Sequence, residues 1–220
     1  MPSDIEFIKL GRSDSDTYWK LGILPDPSQL VDIDAIVHLA WGTTDRKMNF
    51  HTNVGGTIQL ASLARDLGCP FLFISSIGVN SESLYGESKF LAENGVIEVG
   101  GQVVRLGLMR TTNRYLGSKK KFFTVYPRFK NLIPITEFDS FTKFLLEWIN
   151  SRPGLGMNDK ATVTLVDDYC ALSNLIDSKF KVSISEKIVG LSLRFLSKLD
   201  YRISDIYDGF KTIATRKDFN

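Results

Sequence analysis

The stretch from Phe71 to Lys89 (Phe-Leu-Phe-Ile-Ser-Ser-Ile-Gly-Val-Asn-Ser-Glu-Ser-Leu-Tyr-Gly-Glu-Ser-Lys) constrains the fold more than any other part of the chain. Its uninterrupted apolar run, Phe71 to Ile74, has the length of a strand buried on both faces, as in parallel sheets. Ser75 and Ser76 close the strand, and a short polar loop follows. A helix is predicted from near Tyr85 through Phe90, Leu91 and Ala92. Residues four apart on a helix share a face, so Tyr85 and Lys89 point the same way. An ammonium beside a phenol favours the phenolate, and Lys89 is therefore expected to lower the pKa of Tyr85. Ser76, at the carboxyl end of the strand, can hydrogen-bond the same substrate oxygen. The three make a proton donor-acceptor for a carbonyl/alcohol pair.

Spacing alone does not carry that assignment. Tyr-x-x-x-Lys occurs as Tyr85/Lys89, Tyr115/Lys119, Tyr126/Lys130 and Tyr207/Lys211, and any such pair can be a solvated face. Context separates them. Pro127 follows Tyr126 and Gly117 interrupts the Tyr115 pair, and both discourage a regular helix. Tyr207 has no strand and serines before it. Only Tyr85 follows a buried-strand pattern ending in Ser-Ser.

The rest of the chain alternates strands with helices. Strands are predicted at Ile5 to Leu10, weakly at Tyr18 to Leu21, then at Ala35 to Ala40, Gln102 to Leu108 and Ala161 to Val166. Helices are predicted at Asn53 to Leu67, with Gly68 as its C-cap, at Phe138 to Ile149 and from Ala171 to Ile176; the remainder reads as mixed and mostly helical. This order argues for an α/β protein with a parallel sheet covered on both faces. At 220 residues and 43% hydrophobic content the chain is one large domain, or a domain with a small lobe. A net charge of +2 is no footprint of a nucleic-acid binder. Cys69 and Cys170 fit neither a metal site nor a disulfide framework, so no metal is expected and a reducing cytoplasm is. No signal peptide or membrane-length apolar run is apparent.

Taken together, Asp34-Ala-Ile-Val-His-Leu-Ala40, Asn53-Val-Gly-Gly-Thr57, Phe73-Ile-Ser-Ser76, Tyr85-Gly-Glu-Ser-Lys89 with Ala92-Glu93, and Val103-Val-Arg-Leu-Gly-Leu108 resemble the extended short-chain dehydrogenase/reductase family, the nucleotide-sugar epimerases and dehydratases. The match covers most of residues 5 to 150. It implies a Rossmann-like, mostly parallel sheet with a small C-terminal substrate lobe. On that division residues 1–110 and about 132–166 form the dinucleotide-binding domain, and 111–131 with 167–220 the lobe. The resemblance places the catalytic trio at Ser76, Tyr85 and Lys89. Tyrosine moves the proton while the nicotinamide takes or returns a hydride; lysine holds the nicotinamide ribose and tunes the tyrosine. His38, Leu39, Ala40 and Ser75 would lie along the cofactor, and Asn53 would brace the site. Against that, a lone His38 reads as a satisfied core histidine. Family members often dimerise through the helices carrying Asn53 and Tyr85, so a homodimer is implied.

Three departures qualify the match. The loop from Ser76 to Tyr85 is short for the family. The Arg-Pro-Gly usual after the sixth strand is Arg105-Leu106-Gly107 here. The family also opens with a strand, a Gly-x-x-Gly-x-x-Gly turn and a helix, which hold the pyrophosphate through backbone N–H groups and the helix dipole. Residues 1–40 contain no such segment, and Ile5 to Leu10 matches the family's second strand. The expectation is a sheet missing its first βα unit. Such a chain, alone, should bind the cofactor poorly or not at all and show no turnover. The Ile5 strand could instead pair directly with the Ala35 strand. Gly11-Arg12 stands where an arginine would accept the extra phosphate, so NADP is favoured over NAD, with Asp14 and Asp16 keeping NAD open.

Between Arg110 and Asn131 lie Arg110, Arg114, Lys119, Lys120, Lys121, Arg128 and Lys130 with no acid, interleaved with Phe122, Phe123, Tyr126 and Phe129. By resemblance this region would clamp a nucleotide-sugar pyrophosphate, with an aromatic ring on the base. A solvated loop with core aromatics ranks next. Contact with RNA or a membrane surface ranks last, so no nucleic acid and no membrane insertion are expected. The sequence thus points to a cytoplasmic, NAD(P)-dependent nucleotide-sugar epimerase, dehydratase or reductase serving surface-polysaccharide synthesis. The alternative is a truncated, non-catalytic or scaffolding protein that keeps the fold.

Overall fold

The computed structural model describes residues 5–12, 15–30, 32–42, 46–111, 114–115, 121–128, 132–151, 161–171 and 178–185. Its centre is a four-stranded, all-parallel sheet. The strands are β3 (Ile36–His38), β4 (Phe71–Ser76), β5 (Gln102–Leu106) and β10 (Thr162–Leu165), in the order β10-β5-β4-β3. Helices α1 (Arg46–Asp66) and α2 (Leu84–Glu98) lie on one face and α3 (Phe138–Asn150) on the other.

The alternation of a β-strand explains this layering. Phe71 and Phe73 of β4, Ile36 of β3 and Val103 of β5 pack with Leu60, Ala61 and Ala64 of α1 and with Ala92 and Val96 of α2. Their neighbours Leu72, Ile74, Val37 and Val104 point to the opposite face and meet Phe141, Phe144, Leu145 and Trp148 of α3. A strand with apolar side chains on both faces needs cover on both, which is why Phe71 to Ile74 has no polar alternation.

A second sheet has the order β11-β9-β6-β7. It is built from β6 (Leu108–Thr111), β7 (Arg114–Tyr115), β9 (Ile133–Glu137) and β11 (Asp168–Cys170). Its β6 and β9 run parallel to each other, while β7 and β11 pair antiparallel at its two edges. The two sheets are stitched at Thr136, whose hydroxyl accepts from the Gly107 N–H (2.7 Å) and donates to the Leu165 carbonyl (2.5 Å). The approach is close enough that a Cβ on Gly107 would stand 2.7 Å from the Pro134 carbonyl oxygen.

Two expected elements differ. No strand forms over residues 5–9. Instead β1 (Leu10–Gly11) pairs in parallel with β2 (Thr17–Tyr18). The polar stretch after Gly11 folds back on itself. The Lys9 carbonyl accepts from the N–H groups of Asp16 and Thr17, and the Lys9 N–H donates to the Asp16 carboxylate. Those local bonds use the groups that a slide toward β3 would need, and β3 pairs only with β4 among the described residues. Further on, residues 178–185, expected within a mostly helical tail, form β12 (Ser178–Ser185), which runs parallel to β8 (Lys121–Arg128). Phe180, Val182 and Ile184 alternate with Lys179, Lys181 and Ser183, the period of a strand and not of a helix. The helix expected over Ala171–Ile176 lies, beyond Ala171, outside the described residues.

Between β4 and α2 the chain makes one 3-10 turn, Ile77–Asn80, capped by the Ser76 hydroxyl, which accepts from the Gly78 N–H (3.1 Å). Ser83 then caps α2 through the Gly86 N–H (3.0 Å), and the Ser83 and Ser81 hydroxyls are 2.6 Å apart. Gly86 permits this tight entry. A Cβ there would lie 2.7 Å from the Gly78 carbonyl oxygen and closer still to Ser81. Gly55 of α1 is the contrast, since a Cβ there would meet nothing within 4 Å. Gly86→Ala should therefore lower unfolding stability by about 1–3 kcal/mol through overpacking. Gly55→Ala should raise it by roughly 0.5–1 kcal/mol through helix propensity. Urea titrations of the two variants check both signs.

Candidate active site

The carboxyl ends of β3 and β4 are adjacent, the place where open parallel sheets take ligands. Beyond β3 the chain runs through Leu39, Ala40, Trp41 and Gly42. Beyond β4 it enters the 3-10 turn and then α2. Tyr85 and Lys89, one turn apart on α2, both reach the residues at this rim.

Lys89 is 4% exposed. Its Nζ donates to the Ile74 carbonyl (3.0 Å) and stands 3.9 Å from the ring centroid of Trp41 and 4.4 Å from that of Phe73. An ammonium over an aromatic face in a desolvated setting gains about 2 kcal/mol. Burial nevertheless pulls the lysine down to about 7, with nearby Glu93 pushing it back up. Tyr85 meets the same indole edge-on, with ring centroids 6.5 Å apart, and Trp41 in turn lies 5.7 Å from Phe73. Trp41 is therefore the surface that Tyr85 and Lys89 share.

Asn53 fixes the segment that carries this indole. Its Oδ1 accepts from the Gly42 N–H (2.8 Å) and its Nδ2 donates to the Gly42 carbonyl (2.9 Å). A buried amide with both ends used holds a backbone in place. The bracing expected of Asn53 is thus directed at Gly42. His38, 2% exposed, sits among Trp19, Phe71 and Phe73, with Nε2 3.0 Å from the Thr57 hydroxyl. Burial, and then the Lys89 charge, hold it down at about 3, so it is neutral at physiological pH. Its side chain is a core histidine.

The two serines at the end of β4 differ. Ser76 accepts from Gly78 and keeps its own hydroxyl proton for another acceptor. Ser75 is buried, and its Oγ has no hydrogen-bond partner among the described residues. A buried hydroxyl left unpaired costs about 1–3 kcal/mol. Behind the site, Glu93 accepts a two-pronged contact from Arg105 (2.6 and 3.1 Å) that ties α2 to β5. Arg105 is spent on that pair.

Other expected positions are not gathered here. Arg12 is exposed just past β1, outside the four-stranded sheet, and Leu39 is 61% exposed. Ala40 packs against the α1/α2 core. For Arg114, Lys121 and Arg128 only backbone is described, in β7 and at the two ends of β8; Asp14, Lys119 and Lys120 lie outside the described residues. Sequence reasoning missed Trp41. The signal was its place two residues after Leu39, at the mouth of a buried strand, where a large ring must project over the sheet end.

No protein-family model matches the chain, and no curated protein matches it. Solved structures do. A dTDP-4-dehydrorhamnose reductase from Bacillus anthracis, solved in complex with NADP, superposes with a TM-score of 0.54 at 14% identity, covering 74% of this chain and 70% of that one. A short-chain dehydrogenase/reductase superfamily protein from Agrobacterium tumefaciens with bound NAD gives 0.51 at 15%, covering 84% and 81%. An ADP-L-glycero-D-manno-heptose-6-epimerase from Helicobacter pylori gives 0.53 at 13%, covering 86% and 75%. Across similar structures the chain spans between 62% and 81% of the other's length. The fold is α/β and Rossmann-like.

The depressed lysine has a thermodynamic consequence. Between about 7 and its ordinary 10.5, Lys89 is neutral in the folded protein and charged in the unfolded chain. The unfolded state binds the extra proton there, so this group's contribution to stability rises with pH across that window and is at its least favourable below pH 7. Lys89→Met should therefore raise the melting temperature most at pH 6, with the gain shrinking toward pH 10. Melts followed by circular dichroism at matched ionic strength read this directly. A gain independent of pH would mean that the lysine titrates normally.

Proposed function

We propose that this chain is a cytoplasmic, NAD(P)-dependent enzyme of the nucleotide-sugar epimerase, dehydratase or reductase kind, serving surface-polysaccharide synthesis. The observation that carries the reading is Lys89, held at the end of β4 by the Ile74 carbonyl beside Trp41, the ring that Tyr85 also meets. Ser76 stands at the same strand end. The fold shared with a dTDP-4-dehydrorhamnose reductase and an ADP-heptose epimerase supports it.

The residues present suit the nicotinamide end of such a cofactor, as the unpaired Ser75 hydroxyl and the Tyr85, Lys89 and Ser76 donor set indicate. The bound nicotinamide would supply or accept a hydride. Tyr85 gives a proton to the substrate oxygen, or takes it. Ser76 accepts from the Gly78 N–H and donates its hydroxyl proton to that oxygen. Lys89 orients the ribose hydroxyls and biases the phenol. Ser75 pairs with the nicotinamide side. Asn53 keeps the Gly42 segment in register with both strand ends. Arg12 favours NADP, while Arg114, Lys119, Lys120, Lys121 and Arg128 clamp the substrate pyrophosphate. Phe90 and Leu91, exposed on α2, suit a homodimer through that helix.

The second reading is a non-catalytic binding or scaffolding protein that keeps the fold. The indole over Lys89 favours it, because a side chain of this chain already occupies one face of the ammonium.

In a chain extended at its N-terminus by a strand, a Gly-x-x-Gly-x-x-Gly turn and a helix, Tyr85→Phe should cut turnover of a dTDP-4-keto sugar by about 10²–10⁴. Cofactor affinity should stay within about twofold, since the phenol acts in the chemical step. Stopped-flow NADPH oxidation and calorimetry give the two numbers; retained turnover in the variant would remove Tyr85 as the proton donor. Cofactor binding without turnover in the unmutated extended chain would select the scaffolding reading. Replacing Lys119, Lys120 and Lys121 by alanine should weaken nucleotide-sugar binding more than cofactor binding. The loss should fade at high salt, where screening acts within about 3 Å at 1 M.

A further inference from the structure

We propose that Trp41 is the gate of the nicotinamide-ribose site: its indole lies on the face of Lys89 that a ribose must occupy, and binding requires the ring to swing away. The inference rests on the nicotinamide reading above and adds a residue that neither the expected catalytic set nor the expected cofactor contacts contain.

Three observations meet on this residue. First, the Lys89 ammonium has a fixed set of neighbours: the Ile74 carbonyl at 3.0 Å, the Phe73 ring at 4.4 Å and the Trp41 ring at 3.9 Å. Ile74 and Phe73 belong to the central strand and cannot leave without unzipping the sheet. Trp41 lies outside any strand or helix and is half-buried, so it is the one neighbour of the three that can move. Second, the indole also meets the Tyr85 ring. One side chain therefore touches both the Lys89 ammonium and the Tyr85 ring. Third, Asn53 clamps Gly42 through both its N–H and its carbonyl. The backbone next to Trp41 is pinned, so opening is a rotation of the side chain with the segment left in place.

The chemistry gives the gate its direction. A ribose brings hydroxyl oxygens, which accept from the ammonium more strongly than a ring face does once the site is sealed. Water alone competes less well than a ribose for the ammonium face that the indole covers. Closure competes with the ligand, so the observed affinity is the intrinsic one reduced by the open fraction.

The test uses this chain as it is, with Trp41→Ala and Trp41→Phe, and two readouts. Reductive methylation followed by peptide mass spectrometry gives the labelling rate of Lys89 relative to the exposed Lys143 in the same sample. Fluorescence titration with reduced nicotinamide mononucleotide reports binding of the nicotinamide-ribose half alone, independent of any pyrophosphate site. Lys89 labelling should rise at least tenfold in Trp41→Ala and by an intermediate factor in Trp41→Phe. The mononucleotide should bind Trp41→Ala at least tenfold more tightly than the unmutated chain. Trp41→Phe keeps a ring against Phe73, and it decides the question should the alanine variant lose its circular dichroism signal. Equal Lys89 labelling in all folded variants overturns the gate. Equal, measurable mononucleotide affinity in all of them also overturns it and leaves the nicotinamide reading standing. Increased labelling with no mononucleotide binding at millimolar concentration overturns the nicotinamide reading, and with it the ligand assigned to the gate, while the cover over Lys89 stands.

Discussion

Everything in this structure follows from the burial of β4 on both faces. A strand carrying Phe71 and Phe73 on one side and Leu72 and Ile74 on the other cannot face water in either direction. It needs parallel neighbours, and parallel neighbours need crossover helices, which supply the two cover layers. The same arrangement aligns the carboxyl ends of β3 and β4. The last residues of β4, Ile74 to Ser76, still pair with β5 but sit at a rim where β3 has ended, and α2 begins eight residues after Ser76. The site is a by-product of the layering, placed where the sheet stops.

Charge burial at that rim is handled in two ways. Glu93 and Arg105 neutralise each other in a two-pronged contact, so that a carboxylate with 1% side-chain exposure has its full complement of donors. Such pairs hold elements in register more than they add net stability. Lys89 has no comparable partner. Glu93, one turn further along α2, is engaged with Arg105, and what remains is a carbonyl and two rings. Those are weak substitutes for water, which is why burial dominates its proton affinity. His38, buried nearby, meets the same field by staying neutral and bonding to Thr57. Burial is the larger cause of that neutrality and the Lys89 charge the smaller.

Much of this was legible in the sequence where burial sets a period. The apolar run of β4 and the 3.6-residue patterns of α2 and α3 announced themselves, as did the exclusion of the other Tyr-x-x-x-Lys pairs: Tyr115 and Tyr126 fall in strands β7 and β8. The helix α1 begins at Arg46, seven residues ahead of the position expected from its apolar spacing, because its first two turns carry polar residues that give no periodic signal. Residues 5–9 read as a strand on composition, yet local hydrogen bonds around Asp16 take their place, and no pattern of single residues encodes that competition. The strand β12 was written in an alternation of Phe180, Val182 and Ile184 that a general impression of a helical tail overrode. At the site, type and spacing singled out Tyr85, Lys89 and Ser76 as candidates. They could not find Trp41 over Lys89, since that contact joins residues far apart in the chain and depends on how far the segment after β3 leans across the sheet.

A buried lysine needs something on every side. In this chain the fixed sides are supplied by the central strand, and the remaining side by a tryptophan carried on a segment that Asn53 pins. That division separates what holds the fold from what can be exchanged. Removing the Ile74 carbonyl or the Phe73 ring from the ammonium means breaking the sheet, a global event, whereas rotating one half-buried indole is a local one of far lower free energy. The groups around the buried ammonium are thus split between a part fixed in the sheet and a part carried outside it. Ser75 is a smaller case, for its buried hydroxyl has no hydrogen-bond partner among the described residues. A protein using these residues only to support its fold would gain stability from an apolar side chain at position 89 and an alanine at position 75. Both positions instead carry polar groups, one without a partner among the described residues and one covered by a ring outside any strand or helix.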